Sequence, residues 1–174
     1  AGVRTFMLAQ IWQAPLVEGY DGIGVWTAET VYALNDAAIA FLASLGIERF
    51  VLPFENDYVN LSRAGNRDGI VPLYFRPRLF ISRVPVLGNE ESCTDRLGEY
   101  TAFVRDGFRH LIPFLPVSLF QHCDRLLECG YNRFLIDLSF EKPSQKTFNR
   151  LLARYRDREV EQPSSIFNFK AGLH

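Results

Sequence analysis

Ile47-Glu48-Arg49-Phe50-Val51-Leu52-Pro53-Phe54-Glu55-Asn56-Asp57 decides how the rest of the chain is read. A helical pattern stops at Gly46, an apolar run follows, and the run breaks into Glu55, Asn56 and Asp57. In an α/β protein such a break is where a strand leaves the core and presents side chains to a ligand. The residues just upstream agree. Leu34, Ala37, Ala38, Phe41, Leu42 and Leu45 follow the i, i+3, i+4, i+7 rule over Tyr32 to Leu45, and Gly46 sits where a C-terminal cap belongs. Phe50 to Phe54 therefore reads as a strand after a helix, with a short helix over Asn56 to Ser62 beyond it.

On the N-terminal side, Phe6 to Trp12 reads as a buried strand bounded by Pro15, and Ile23 to Trp26 as a second strand ending at Thr27. On the C-terminal side, Ile70 to Phe75 and Leu79 to Val84 are extended runs, and Gly88 to Arg96 is polar and irregular. Thr101 to Arg105 alternates apolar with polar residues, and His110 to Pro113 reads as its pairing partner. Leu119 to Cys129 reads as a helix with Ser118 as N-cap and Gly130 as stop. Arg133 to Leu138 follows as a strand. The last helix begins near Pro143, with Phe148, Leu151, Leu152 and Tyr155 as its apolar stripe, and Ile166 to Lys170 alternates like a final strand.

Strand, helix and strand at this spacing predict an α/β fold of parallel βα units, with a β-rich insertion in the middle from about 70 to 116. There are too few units for an eight-fold barrel, which takes about 250 residues. The expectation is one domain over residues 1–174. It is read as a domain excised from a longer chain, because Ala1-Gly2-Val3-Arg4 leads straight into the first strand and no initiator Met appears.

The 174 residues are 48% hydrophobic and 22% charged, with a net charge of -1, which suits a globular domain with a real core. Near-neutral charge argues against wholesale nucleic-acid binding but leaves room for a local basic patch. Arginine outnumbers lysine by 16 to 3, which suits bidentate carboxylate or phosphate contacts and also follows from composition bias in a source organism. Cys93, Cys123 and Cys129 are an odd set without CxxC spacing, so a reducing, cytoplasmic setting is expected rather than a disulfide framework. No signal peptide opens the chain, and no apolar run is long enough for a bilayer, so no membrane partner is expected. The oligomeric state stays open.

Glu55 reads either as a general base or as a clamp for an Arg or a substrate amine. Asn56 belongs to the same strand-end group, while Asp57 at that position also suits a helix cap. Arg76, Arg78 and Arg83 stand among Tyr74, Phe75 and Phe80, which suits single-stranded nucleic acid or equally a charge-protected edge strand. Asp137 interrupts an apolar strand and must be paired or exposed at the strand end, with Arg133, Lys142 and Lys170 as candidate partners. His122-Cys123-Asp124 is not a nucleophile set, since consecutive helical residues point about 100° apart. Cys123 is expected in the core and His122 in solvent, while His110 reads as structural. No His/Ser/Asp trio and no metal-ligand spacing is present.

Three segments carry a resemblance. Ala33 to Ala38, Phe41-Leu42, Leu45-Gly46 and Arg49 to Glu55 resemble the "N-x-x-A…L…LG…r-vLspE" pattern of the collagenase-like peptidases (peptidase family U, number thirty-two). Leu126 to Asp137 is similar to that family's "eLleaGv…f-riD/E" segment, and Arg78 to Arg83 falls where its "GrC-l-S-r" motif lies. The resemblance spans roughly residues 20–172. It implies an α/β fold of partial TIM-barrel-like βα units, of which this chain is the C-terminal portion, and a hydrolase of peptidase type. With the strand-end placement it implies a site in which Glu55 and Asp137 supply acid/base chemistry. Arg78, Arg83, Asn56 and Lys170 would hold substrate, and the N-terminal region of the same protein would be a partner. Relatives similar to RNA-hydroxylation and ubiquinone-hydroxylation factors carry a four-cysteine iron–sulfur cluster. Here Phe80 and Leu97 replace two such positions and Cys93 alone corresponds to a ligand, so no cluster and no other cofactor is expected in this chain. The competing expectation is a non-catalytic module that binds RNA or a partner domain through residues 74–83, and a third is a cluster-free relative of the hydroxylation factors.

Overall fold

The computed structural model describes residues 2–19, 22–47, 49–84, 91–96, 98–142 and 144–170. Its architecture is mixed α/β, with three sheets and four α-helices among those residues. Strands β1 (Thr5–Leu8), β2 (Gly24–Thr27) and β3 (Arg49–Phe50) form a parallel sheet in that order. Val51 then pairs in parallel with Ile70, at the entrance to β4 (Val71–Phe75). All five residues of β4 are buried. A continuous apolar strand of this kind is what burial on both faces requires.

The middle of the chain leaves this parallel rhythm. Strands β5 (Phe80–Ser82), β6 (Ser92–Thr94), β7 (Glu99–Arg105) and β8 (Phe108–Pro113) make an antiparallel sheet in the order β5-β8-β7-β6. The β7–β8 hairpin pairs Phe103 with His110 and Thr101 with Ile112, matching the alternation read there. The chain returns through β9 (Val117–Ser118), antiparallel to β4, and β10 (Phe134–Ile136), parallel to β4 on its other side. The helices are α1 (Asp36–Ser44), α2 (Tyr58–Arg63), α3 (Cys123–Glu128) and α4 (Gln145–Asp157).

Helix ends follow local chemistry. The Asn35 side chain accepts the Ala38 N–H, Asp57 accepts that of Asn60, and Ser144 accepts that of Thr147, so three helices carry side-chain N-caps. Gly46, at φ +74, lets the Ile47 N–H reach the Leu42 carbonyl while its own N–H bonds Ala43, a closure that delivers buried Ile47 to the start of β3.

Several expectations are corrected. Among the described residues the parallel strands lie in open sheets and not in a closed barrel. β1 is not a buried strand: Leu8 is its one buried residue, because β1 is the free edge of its sheet and is followed by a 3-10 turn, Ile11–Leu16, that leaves Trp12 exposed. In α1 the buried residues are Ile39 and Leu42, while Phe41 and Leu45 face outward. Ser118 does not cap a helix; it lies in β9, and its hydroxyl accepts the Glu161 N–H at 3.3 Å. His122 is buried rather than solvated, stacked on Phe169 at 4.7 Å between ring centroids. Ile166 to Lys170 forms no strand: Ser165 makes one bridge to Val117, and the chain then turns so that Phe169 reaches Tyr58 and His122. A strand, β6, lies within the stretch read as irregular. Pro143 and Leu97 lie outside the described residues.

Gly69 marks the closest approach between the β3 and β4 segments. A Cβ built there would lie 2.8 Å from Leu52 Cγ and 2.8 Å from Phe50 Cε2, both on buried side chains. Gly69→Ala therefore costs about 1–3 kcal/mol through overpacking, to be read as a lower urea midpoint with unchanged slope.

Candidate functional site

The carboxyl ends of parallel strands are where side chains and backbone groups are released from the sheet, so ligands gather there in open α/β sheets. Here those ends line one cleft of about 380 Å³. Ala9 follows β1, Glu29 follows β2, Phe54 follows β3, Arg76 follows β4 and Asp137 follows β10. The opposite wall comes from the antiparallel sheet. Phe103 and Arg105 of β7 and His110 and Ile112 of β8 line it, alternate residues that share one face of the hairpin.

Glu29 is a partly buried carboxylate of the cleft. It opens a 3-10 turn, Glu29–Val31, directly after β2, and its side chain is 18% exposed. Burial raises its pKa above the usual carboxylate value, and the negative charges of Asp137 and Glu55 raise it further. Arg78, 3.8 Å away, pulls in the other direction without overcoming burial. The neighbouring Thr30 hydroxyl donates to the Ala9 carbonyl at 2.6 Å, which ties the ends of β1 and β2 together.

Asp137 leaves β10 at the cleft wall. Its N–H donates to the Tyr74 carbonyl at 2.7 Å, and its Oδ1 accepts the Ser139 N–H at 2.8 Å, leaving Oδ2 for other partners. None of the cations read as its partners is ion-paired with it among the described residues; the Arg133 guanidinium instead donates to the Asp68 carbonyl. Glu55 stands behind the Phe54 wall, where its Oε1 accepts the Tyr32 hydroxyl at 3.0 Å. Burial and that carboxylate together hold the Tyr32 hydroxyl above its ordinary pKa. Glu55 and Asp137 thus lie at the same end of the parallel strands, close enough to share Glu29 as an electrostatic neighbour.

Arg76 lies with its guanidinium 4.9 Å from the Phe140 ring centroid, and burial lowers its pKa. Its Nε is buried without a hydrogen-bond partner among the described residues, as is Nδ1 of His110, whose ring stacks on Phe103 at 5.1 Å. The His110 side chain is therefore structural in its packing, yet it faces the cleft.

The remaining sequence candidates lie elsewhere. Arg83 is exposed, with its guanidinium over the Phe108 ring at 5.3 Å, and does not line the cleft. Asn56 is buried and spent on structure: its Oδ1 accepts Asn60 Nδ2 at 2.7 Å and the Asp57 N–H at 3.1 Å. Lys170 follows Phe169, does not line the cleft, and acts electrostatically on His122. Tyr74 and Phe75 are buried in β4, so neither is a surface platform for bases. Reading strand ends found Glu55 and Asp137. The same logic applied two residues past Thr27 finds Glu29, which was missed.

The cysteines do not fit a cluster. Cys93 lies on β6, Phe80 lies on β5 at the opposite edge of the same sheet, and Cys123 and Cys129 belong to the α3 region. Among the described residues no three of His, Cys, Asp and Glu group to hold a metal, and no helix is long and apolar enough to cross a membrane. No protein-family model, no curated protein and no solved structure matches the chain.

Proposed function

We propose that this domain is a hydrolase of the collagenase-like peptidase type, acting on amide bonds in the cleft at the carboxyl ends of its parallel strands. The strands β1 to β4 and β10 are read as an open arc of barrel-type βα units. The observation that carries the reading is Glu29: a carboxyl group whose pKa is raised by burial, with Asp137 and Arg78 as electrostatic neighbours. A carboxyl group that burial holds toward its protonated form suits a general acid, and a second carboxylate in the same cleft suits a general base.

In this reading Asp137 takes a proton from water as the water oxygen bonds to the amide carbonyl carbon. Glu29, whose burial favours the protonated form, gives its proton to the leaving nitrogen as the C–N bond breaks. Arg78 acts on Glu29, Arg76 on the cleft wall holds an anionic group of the substrate, and Glu55 positions the site through Tyr32 and its charge on Glu29. The chemistry needs no cofactor. Three unpaired cysteines support a cytoplasmic setting. The exposed Met7 on the free edge strand and the exposed Trp12 and Phe41 nearby support packing of the N-terminal region of the same protein on that side.

The test is cleavage of a peptide library, followed by mass spectrometry, with Asp137→Asn and Glu29→Gln beside the wild type. Products from the wild type that vanish in both variants are the expected result. Wild-type products that persist in both variants would overturn the assignment of these carboxylates.

A second reading, a non-catalytic RNA- or partner-binding module, draws on a different surface. Phe80 and Ile81 are each about half exposed on edge strand β5, and Arg83 lies beside them. Binding that weakens steeply with salt and is lost in Arg83→Ala would favour it.

A further inference from the structure

We infer that the cleft takes a small zwitterion, an amino acid or short peptide with a free amino group and a free carboxylate, held between an acidic pole and a pole of unpartnered donors. The inference rests on the hydrolytic cleft proposed above and names its substrate class. The acidic pole is Asp137 with Glu29 beside it, whose carboxyl oxygen accepts from an ammonium even when protonated; Arg78 is the cation that acts on Glu29 there. The cleft is lined by two carboxylates, Glu29 and Asp137, and three guanidiniums, Arg76, Arg78 and Arg105, a mixed lining that suits a ligand carrying both signs of charge. The second pole is Arg76 and His110. His110 is 7% exposed, and its Nδ1 is buried without a hydrogen-bond partner among the described residues; Arg76 Nε is buried in the same condition.

Buried polar atoms of this kind are rare in folded proteins and call for a partner. Arg Nε–H is an obligate donor, and an imidazole N–H becomes one in the appropriate tautomer, so together they suit a carboxylate. Phe103, stacked on His110, and Phe140, under Arg76, give the space beside this pole apolar sides. A volume of about 380 Å³ falls at the small end of ligand cavities, which matches a compact ligand with both termini inside.

The probe is the ketomethylene isostere of leucyl-phenylalanine, which keeps both termini and has no amide bond to cleave, titrated calorimetrically against the whole chain. The free isostere is expected to bind. N-acetylation and C-amidation are each expected to weaken it at least tenfold. In Arg76→Gln the penalty for C-amidation falls to within twofold, and in Asp137→Asn that for N-acetylation does. Blocked isosteres that bind the wild type as tightly as the free one would overturn the inference, as would no binding of any form at millimolar ligand. That comparison needs no variant to fold. The two readings fail separately. Cleavage of end-blocked peptides at the same rate as free ones sinks the zwitterion while the hydrolase stands. Terminus-dependent binding of the isostere without cleavage of any free peptide sinks the hydrolase while the zwitterion stands.

Discussion

Phe120→Ala lowers the unfolding free energy by about 3–5 kcal/mol, the largest stability loss expected from a single truncation in this chain. The ring is fully buried and joins two layers. It stacks on Tyr74 of β4 with centroids 6.0 Å apart and meets Tyr155 of α4 edge-on at 6.2 Å. Removing it loses transfer free energy, two aromatic contacts, and the packing around a cavity that buried Leu73, Leu126 and Leu151 cannot easily refill. The conservative Phe120→Leu keeps most of the volume and costs under about 1.5 kcal/mol. Urea unfolding of the two variants checks both numbers. A loss below about 1 kcal/mol for the alanine variant would mean that β4 and α4 are not joined through this ring.

Asp137→Asn reduces the rate of amide cleavage by about 10²- to 10⁴-fold, the range that general acid–base catalysis contributes. The variant retains the Ser139 N–H contact through the amide oxygen, so positioning of the β10 end survives while the base is removed. Folding should be unaffected, because the described residues give Asp137 no ion pair to lose. The informative split is a fall in kcat with little change in the urea midpoint. Equal loss of activity and stability would point to a structural carboxylate.

Local chemistry made much of the fold legible. Gly46 and Gly130 both take positive φ where the sequence placed helix stops, and the β7–β8 alternation gave the hairpin and its pairing. The failures came where tertiary context chose between equal local options. The apolar run at Phe6 has the composition of a buried strand, but an edge strand with a 3-10 connection buries Leu8 alone. The alternation of Ile166 to Lys170 suits a strand, yet the pocket between Tyr58 and His122 accepts Phe169 only if the chain turns.

The site divides in the same way. Glu55 and Asp137 were visible because each interrupts an apolar run. Glu29 was legible by that rule too, because the β2 end at Thr27 was read correctly and Glu29 stands two residues beyond it. Arg76 and His110 were noted as residues, but their convergence depends on which face of the β7–β8 hairpin covers the strand ends. That is a property of packing between sheets, which no spacing along the chain encodes. Arg83, Asn56 and Lys170 fell away for the converse reason: proximity in sequence to a strand end does not fix the side on which a residue lies.

The central claim is that Glu29, Asp137 and Arg78 form one electrostatic unit at the carboxyl ends of the strands. A carboxyl-detected NMR titration of Glu29 in the wild type and in Asp137→Asn tests it most directly. Burial dominates the elevation, so the wild-type pKa should lie above the ordinary 4.5, and loss of the Asp137 charge should lower it. Arg78→Ala, which removes the opposing cation, should raise it. A Glu29 pKa at its ordinary value, or one that moves in neither variant, would contradict the account.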